Sequence, residues 1–184
     1  MELDQAIRNR RAVRDYTGEA VGEAVLQQLI EAAIQAPSAM NEQPWRFTVV
    51  RDKALLARVS EASKAAILAS AGNAPNERVE RLKNPDFDIF YHAPVLIVIA
   101  SASNGRWAAE NCSLAAENLM LAARDAGLGS CWIGLAQNWI NSPEGKAELK
   151  LPPESAPVAA IVVGHTAAFP PPVPRMAPRI TWIG

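Results

Sequence analysis

Residues 95–100, with the sequence Val-Leu-Ile-Val-Ile-Ala, decide the class of fold. A continuous apolar run of this length, rich in β-branched side chains, is typical of a strand that is buried on both faces. Residues 158–163, Val-Ala-Ala-Ile-Val-Val, form a second run of the same kind. Strands that are buried on both faces need a layer of structure on each side of the sheet. The two runs therefore predict a central sheet between two layers of helices.

The segments around these two strands have apolar residues at helical spacing. The predicted helices are 3–14, 25–33, 55–66, 109–123 and 143–149. A further strand is predicted at 45–50, and the stretch 128–135 is partly strand-like. Residues 72–91 are predicted to be loop with some helix, because they combine glycine, proline and asparagine.

Composition indicates an ordinary globular protein. The chain has 184 residues and a formal net charge of −1, which gives no general attraction to nucleic acid or to an anionic membrane. The start lacks the apolar core of a signal peptide, and no stretch approaches the ~20 apolar residues that span a bilayer. A cytoplasmic location is therefore expected. Two cysteines and two widely separated histidines fit neither a disulfide framework nor a metal site.

Five of the 14 prolines of the chain lie close together near its end. Residues 169–174 read Phe-Pro-Pro-Pro-Val-Pro, and Pro178 follows. Such a run is excluded from helix interiors and central strands, and it favours an extended chain. We therefore predict one domain over residues 1–168 and an extended arm over residues 169–184, which belongs to the same domain. The apolar end of this arm, Ile180 to Ile183, needs a surface that covers it.

Four arginines lie close together near the start: Arg8, Arg10, Arg11 and Arg14. On the predicted first helix, Arg10 and Arg14 would share a face, where like charges repel by about 0.2–0.5 kcal/mol. One interpretation is that the cluster complements the negative end of the helix dipole. The other is a site for a terminal phosphate, because each charge-assisted hydrogen bond contributes ~1.5–3 kcal/mol. The cluster alone favours neither interpretation.

Two further segments could approach a ligand. Residues 37–45, Pro-Ser-Ala-Met-Asn-Glu-Gln-Pro-Trp, offer polar side chains on a proline-braced backbone, although such residues are also usual in a helix-to-strand connection. Residues 127–134, Gly-Leu-Gly-Ser-Cys-Trp-Ile-Gly, permit close approach to a flat ligand, but they also fit a helix cap before a tight strand. Their spacing matches neither the dinucleotide fingerprint nor a P-loop. Cys131 has apolar neighbours and is expected to be an inert core thiol.

Four motifs together resemble the nitroreductase family of flavoproteins. They are RxxRAVRDY at 8–16, APSAMNEQPWRFTVV at 36–50, NLMLAARDAGLGSCWIG at 118–134 and VPRMAPR at 173–179. The resemblance runs from about residue 3 to the C-terminus. It implies an α+β, three-layer fold in which helices flank a central mixed β-sheet. It also implies an obligate homodimer that exchanges its C-terminal arms and holds FMN at its interface.

The resemblance assigns phosphate contacts to the arginine cluster. Arg10, Arg11 and Arg14 match family positions that hold the ribityl phosphate of FMN. Ala12 lies among them, where many relatives have Ser, so one hydroxyl contact is missing. Arg175 matches a late basic residue that closes over the phosphate.

The residues implied beside the flavin ring come from three segments. The first is a loop that approaches from the partner subunit and contains Pro37, Ser38, Ala39 and Asn41. The second contributes Asn76, and the third is the run of Trp132, Ile133, Gly134 and Leu135. Val79 stands where some relatives have Lys, which weakens the assignment of nearby nicotinamide contacts. Phe87, Phe90 and Tyr91 are candidates for stacking on the acceptor, although aromatic residues near the start of a strand are more often part of the core.

The function implied is an FMN-dependent oxidoreductase that takes hydride from NAD(P)H and reduces nitroaromatics or quinones by a ping-pong mechanism. No catalytic side chain is expected, because the flavin carries the chemistry and backbone N–H groups near Gly134 assist. The same scaffold also supports dehalogenation, enone reduction and flavin cleavage. A flavin carrier or regulatory module without turnover is the alternative from another class, and a domain without any cofactor is a third possibility.

Overall fold

The structure is a computed structural model that describes residues 1–71 and 77–184, with Arg78 described by its backbone alone. Its helices are α1 (Leu3–Asn9), α2 (Glu23–Ala33), α3 (Lys53–Ser70), α4 (Glu77–Lys83), α5 (Ala108–Asp125), α6 (Gln137–Ile140) and α7 (Pro143–Glu148). Its strands are β1 (Trp45–Val50), β2 (Val95–Ser101), β3 (Gly129–Trp132) and β4 (Ala156–Gly164).

The four strands form one sheet in the order β1-β2-β4-β3. The central strands are β2 and β4, which contain the two apolar runs of the sequence, and β2 is buried along its whole length. All three strand pairs are antiparallel. Within residues 1–71 and 77–184, parallel pairing enters only through an isolated bridge between Ala12 and Ser130. The predicted mixed sheet is therefore antiparallel in its named strands, with one parallel bridge at its β3 edge.

Helices cover both faces of the sheet. Successive side chains of a strand point to opposite faces, so Ile97 and Ile99 of β2 pack in the core beneath α2 and α5. Leu96 and Val98 point the other way and pack in a second core with residues of α3 and α6. The expected three-layer α+β architecture is confirmed. Among the described helices, none is long and apolar enough to cross a membrane.

The first helix is shorter than its periodicity predicts. Helix α1 ends at Asn9, and Arg10 already has an extended backbone (φ −62°, ψ 130°). The N–H of Val13 then donates to the carbonyl of Ser130 at 3.0 Å, so this segment pairs with the edge of β3 instead of continuing the helix. The β-branched Val13 suits an extended backbone. The prediction that Arg10 and Arg14 share a helix face is therefore wrong, and so is the like-charge argument built on it.

The other elements follow the predicted positions within a few residues. Helix α5 stops before Gly127, whose positive φ of 74° is the conformation that a glycine after a helix commonly adopts. The single turn of α6 was not predicted, because four residues are too few to show a period. Residues 165–184 form no helix or strand. In the arm over residues 169–184, the side chains of Ile180, Trp182 and Ile183 are 60%, 88% and 95% exposed.

Candidate functional site

The arginine cluster stays together although only Arg8 lies in a helix. Arg10 forms an ion pair with Glu117 of α5 at 3.3 Å. Arg11 donates through Nη1 to the carbonyl oxygens of Arg8 and Arg10, both at 2.7 Å. Its buried Nε has no hydrogen-bond partner within the described part of the chain. Arg14 is exposed, and its guanidinium lies 5.9 Å from the centre of the Tyr91 ring. The segment thus offers guanidinium donors that could bind an anion.

Gly129 allows this segment to lie against β3. A Cβ built on Gly129 would be 2.7 Å from Cγ1 and 2.8 Å from Cβ of Val13, so any larger residue would collide there. The close approach lets Ala12 and Val13 pair with Ser130. The arginines are therefore held beside the stretch that follows β3, where the sequence predicts contacts with the flavin ring.

The backbone at the end of β3 is open. The N–H of Ile133 donates to the carbonyl of Ala160 at 2.7 Å, and the side chain of Ile133 is buried in the core. A single 3₁₀ turn then begins at Gly134, and the N–H groups of Gly134 and Leu135 have no partner among the described residues. A Cβ at Gly134 would meet no atom within 4 Å. A flat ligand could therefore contact this backbone directly, and Ile133 could contribute only its main chain.

The loop that contains Pro37, Ser38, Ala39 and Asn41 has an unusual backbone. Met40, Asn41 and Gln43 all have positive φ, of 53°, 56° and 48°, and such left-handed geometry costs about 1 kcal/mol for a residue with a side chain. Two hydrogen bonds hold it: Ala39 N–H donates to Oδ1 of Asn111 at 2.9 Å, and Gln43 N–H donates to Oγ of Ser38 at 3.0 Å. The loop is thus a fixed and strained structure, as ligand-binding loops often are.

One chain does not bring all the predicted residues together. The strained loop precedes β1, whereas the arginines and Gly134 adjoin β3, at the opposite edge of the sheet. Three strand spacings separate these edges, about 14 Å. Asn76 lies outside the described residues. Arg175 lies in the exposed arm, where no hydrogen bond to another described residue holds it.

Both thiols are buried and resist ionisation. Burial raises the pKa of Cys112 to about 12. Burial also raises the pKa of Cys131, although the nearby charges of Arg14 and Arg10 oppose that shift. The two arginines are close to Cys131 in space but distant in sequence, so the local sequence around Cys131 does not predict their effect. Because the thiolate is the nucleophile, the raised pKa agrees with the prediction that Cys131 is inert at neutral pH.

A cavity of about 320 Å³ adjoins Leu135. Its walls include the half-buried rings of Phe87 and Tyr91, as well as Arg81 and Glu77 of α4. Phe90 is 0% exposed and belongs to the core, so its predicted role in stacking on the acceptor is wrong. A larger cavity of about 700 Å³ lies between α3 and residues 85–94, but none of the predicted cofactor-binding residues that the structure describes lines it.

Two functional candidates were missed by the sequence analysis. Asn111 is a polar side chain on the buried side of α5, and nothing in its local pattern separates it from an exposed helical asparagine. Arg81 falls in the segment 72–91, which was predicted to be loop with some helix. The sequence pattern does not predict that α4 places Arg81 over the ring of Phe87.

Comparisons with known proteins agree on a family. The model of the Nitroreductase family matches residues 7–165. A nitroreductase with bound FMN from Bacteroides fragilis has a TM-score of 0.87 and 28% identity, with 100% of both chains covered. An NADH dehydrogenase from Thermus thermophilus is 43% identical over 63 residues, which are 34% of this chain and 31% of that protein. An iodotyrosine deiodinase from Haliscomenobacter hydrossis is 32% identical over 96 residues, 52% of this chain and 42% of that protein. The matched segments thus span less than half of the length of these two curated relatives.

Proposed function

The chain belongs to the nitroreductase family, and we propose that it is an FMN-dependent oxidoreductase that takes hydride from NAD(P)H and reduces small acceptors such as nitroaromatics or quinones by a ping-pong mechanism. The observation that carries this proposal is the pairing of Ala12 with Ser130. It holds the arginine cluster beside the open backbone at Gly134. One ligand with a phosphate at one end and a flat ring at the other fits that arrangement.

The arginine segment fits the phosphate of FMN. The buried Nε of Arg11 has no partner among the described residues, and an anion would satisfy it. Arg10 and Arg14 add further donors on the same segment, of which Arg10 is engaged by the carboxylate of Glu117 at 3.3 Å. Guanidinium groups bind phosphate oxygens through two parallel hydrogen bonds, which fixes orientation as well as affinity.

The backbone after β3 fits the ring. When bound, FMN would supply the hydride transfer itself, so no side-chain acid or nucleophile is required. The N–H groups of Gly134 and Leu135 would donate to the ring edge and stabilise negative charge there, as fixed dipoles do in an oxyanion hole. The absence of a side chain at Gly134 keeps this edge accessible to a flat partner.

We also propose a homodimer in which a second copy completes each site. The loop at residues 37–41 lies at the far edge of the sheet from Gly134, so a loop from the partner subunit would supply those contacts. Exposed apolar side chains on α1 and α5, namely Leu3, Ile7 and Leu114, offer a surface for such an association. The arm would carry Arg175 to the partner. The cytoplasmic location remains a prediction from composition.

Two measurements test this function. The protein, purified and incubated with FMN, is expected to retain the flavin absorbance after gel filtration. It is then expected to oxidise NADH or NADPH faster when a nitroaromatic or a quinone is added, with parallel lines in double-reciprocal plots. Flavin retention without acceptor-dependent oxidation would instead identify a carrier or regulatory module. A protein that retains no flavin would contradict the proposal entirely.

A second candidate is reductive dehalogenation, which the similarity to the deiodinase from Haliscomenobacter hydrossis supports. Release of iodide from an iodotyrosine, measured with the same flavin-loaded protein and with NADH or NADPH as the source of two electrons, separates this reaction from nitro or quinone reduction. Iodide release at a rate that matches or exceeds acceptor reduction would favour the second candidate.

A further inference from the structure

Arg81 is held in the wall of the 320 Å³ cavity by aromatic rings. Its guanidinium carbon lies 4.3 Å from the centre of the Phe87 ring and 6.0 Å from that of Tyr91. The two rings meet edge to face, with centres 6.0 Å apart and an interplanar angle of 72°. A cation over an aromatic face is attracted by the ring quadrupole. The rings therefore position Arg81 without a carboxylate partner among the described residues.

The guanidinium of Arg81 keeps its donors available. A guanidinium that lies flat on a ring turns its face to the ring, and its N–H bonds then point outward in the plane. In the described part of the chain, no carboxylate lies within 4.0 Å of Arg81. Glu77 lines the same cavity one helical turn earlier, but it does not form an ion pair with Arg81. The fork of Arg81 can therefore receive an anion.

The cavity adjoins the proposed flavin site. Leu135, the residue after Gly134, lines it, and Arg14 lies 5.9 Å from the Tyr91 ring that also lines it. A volume of about 320 Å³ is near the lower end for small-molecule pockets and admits one substituted aromatic ring. Two half-buried rings and Leu135 offer apolar walls to such a ring, while Arg81 stands at one side of it.

We propose that Arg81 makes this site select aromatic acceptors that carry an anionic group, with the ring beside Tyr91 and Leu135 and the anion on the guanidinium of Arg81. The inference rests on the proposed function, since it names the class of acceptor for that site. It makes Arg81 a specificity-determining residue. Arg14 borders the cavity too, but its proposed role is to hold the FMN phosphate.

The test compares 4-nitrobenzoate with 4-nitrobenzamide, which have nearly the same shape and differ in charge. The FMN-loaded protein is studied as wild type, Arg81→Gln, Arg81→Lys and Lys83→Gln. Lys83→Gln is the matched control, because this substitution removes one positive charge from the same helix. Lys83 differs from Arg81 in that it forms an ion pair with Glu80 at 2.7 Å. Affinity is measured by calorimetry, and kcat/KM is measured with a fixed concentration of the nicotinamide.

Arg81→Gln is expected to weaken binding of 4-nitrobenzoate by ~3–10-fold, because it removes a charge-assisted contact at an exposed group, and to lower its kcat/KM to match. The amide should change by less than about twofold. Arg81→Lys should retain part of the preference, since it keeps the charge and loses the fork. Lys83→Gln should leave the preference as in the wild type.

Equal effects of Arg81→Gln on both compounds, or no effect on either, would overturn the inference. A loss of preference in Lys83→Gln of the same size would also overturn it, because general electrostatics would then be the cause. Failure of the proposed function looks different: neither compound would be reduced, and the calorimetric preference would still decide the role of Arg81.

Discussion

Asn111 accepts a hydrogen bond from the backbone N–H of Ala39 at 2.9 Å, and this bond joins the buried side of α5 to the strained loop before β1. The carbonyl of the same residue accepts a hydrogen bond from Nε1 of Trp45, also at 2.9 Å. The side chain of Asn111 is buried. A single position on α5 thus fixes both the loop and the start of the strand that follows it.

Asn111→Ala is therefore expected to lower the free energy of unfolding by about 1–3 kcal/mol, because it leaves the N–H of Ala39 without a partner. It should also weaken FMN binding, since the loop would lose its fixed shape. Chemical denaturation and a flavin titration measure the two effects. Asn118→Ala is the control: it lies on the same helix and donates only a longer bond, 3.3 Å, to the carbonyl of Ala32. Equal effects of the two variants would contradict the special role of Asn111.

Local pattern was sufficient for the layers of the fold but not for the site. The apolar runs in β2 and β4 predict buried strands, because burial on both faces leaves a direct trace in the sequence. The end of α1 left no such trace. The segment after Asn9 is extended because Val13 pairs with Ser130, which lies far along the chain. The pattern of apolar residues within one predicted helix carries no information about such a distant partner. The loop with its three left-handed residues also depends on a distant partner, because Asn111 holds it at Ala39.

The phosphate assignment can be tested with two flavins. Arg10→Ala and Arg14→Ala should each weaken FMN binding by ~1.5–3 kcal/mol, or roughly ten- to a hundredfold. Neither should weaken riboflavin, which lacks the phosphate. Fluorescence titration measures both affinities. Arg8→Ala is the control, because exposed Arg8 pairs with Asp4 at 2.7 Å. Similar losses for FMN and riboflavin would show that the arginines act on the fold rather than on the phosphate.

Gly129→Ala should disturb the attachment of the arginine segment. The new Cβ would lie 2.7 Å from Val13, so the segment would have to move away from β3. We expect a loss of about 1–3 kcal/mol in stability, as overpacking usually costs, together with weaker FMN binding. Gly134→Ala is the matched comparison, because its Cβ meets no atom of the described chain within 4 Å. It should keep the stability of the flavin-free protein and weaken only flavin binding. If thermal unfolding without flavin shows the same loss of stability in Gly129→Ala and Gly134→Ala, this distinction is refuted.

The buried thiol of Cys112 predicts a loss of stability at high pH. Burial raises the pKa of Cys112 from its ordinary value of 9.0 to about 12 in the folded protein. Between these values the unfolded chain releases a proton that the folded chain keeps, so stability falls as pH rises. This thiol alone contributes a slope of about 1.4 kcal/mol per pH unit above pH 9, and none well below it. Urea unfolding at pH 7.5, 9 and 10 measures the slope. In Cys112→Ala the fall in stability per pH unit should be smaller by about 1.4 kcal/mol. An unchanged slope would argue against a raised pKa of Cys112.

The arm predicts a link between assembly and cofactor binding. Its prolines keep residues 169–178 out of helices and central strands, and Trp182 and Ile183 are 88% and 95% exposed in a single chain. An extended arm that crosses to the partner and pairs at a sheet edge would cover them. A buried tryptophan alone covers ~150–250 Å², which at ~25 cal/mol per Å² contributes about 4–6 kcal/mol.

Deleting residues 170–184 should therefore weaken both the dimer and the retention of FMN. Analytical ultracentrifugation and flavin content measure the two effects. Two full-length variants separate their causes. Trp182→Ser combined with Ile183→Ser keeps Arg175 and should weaken mainly the dimer, because it removes only apolar contacts. Arg175→Gln keeps the apolar end and should weaken binding of FMN but not of riboflavin. A truncated protein that stays a tight dimer with full flavin occupancy would show that the arm contributes to neither property, and that the role of Arg175 was wrongly assigned.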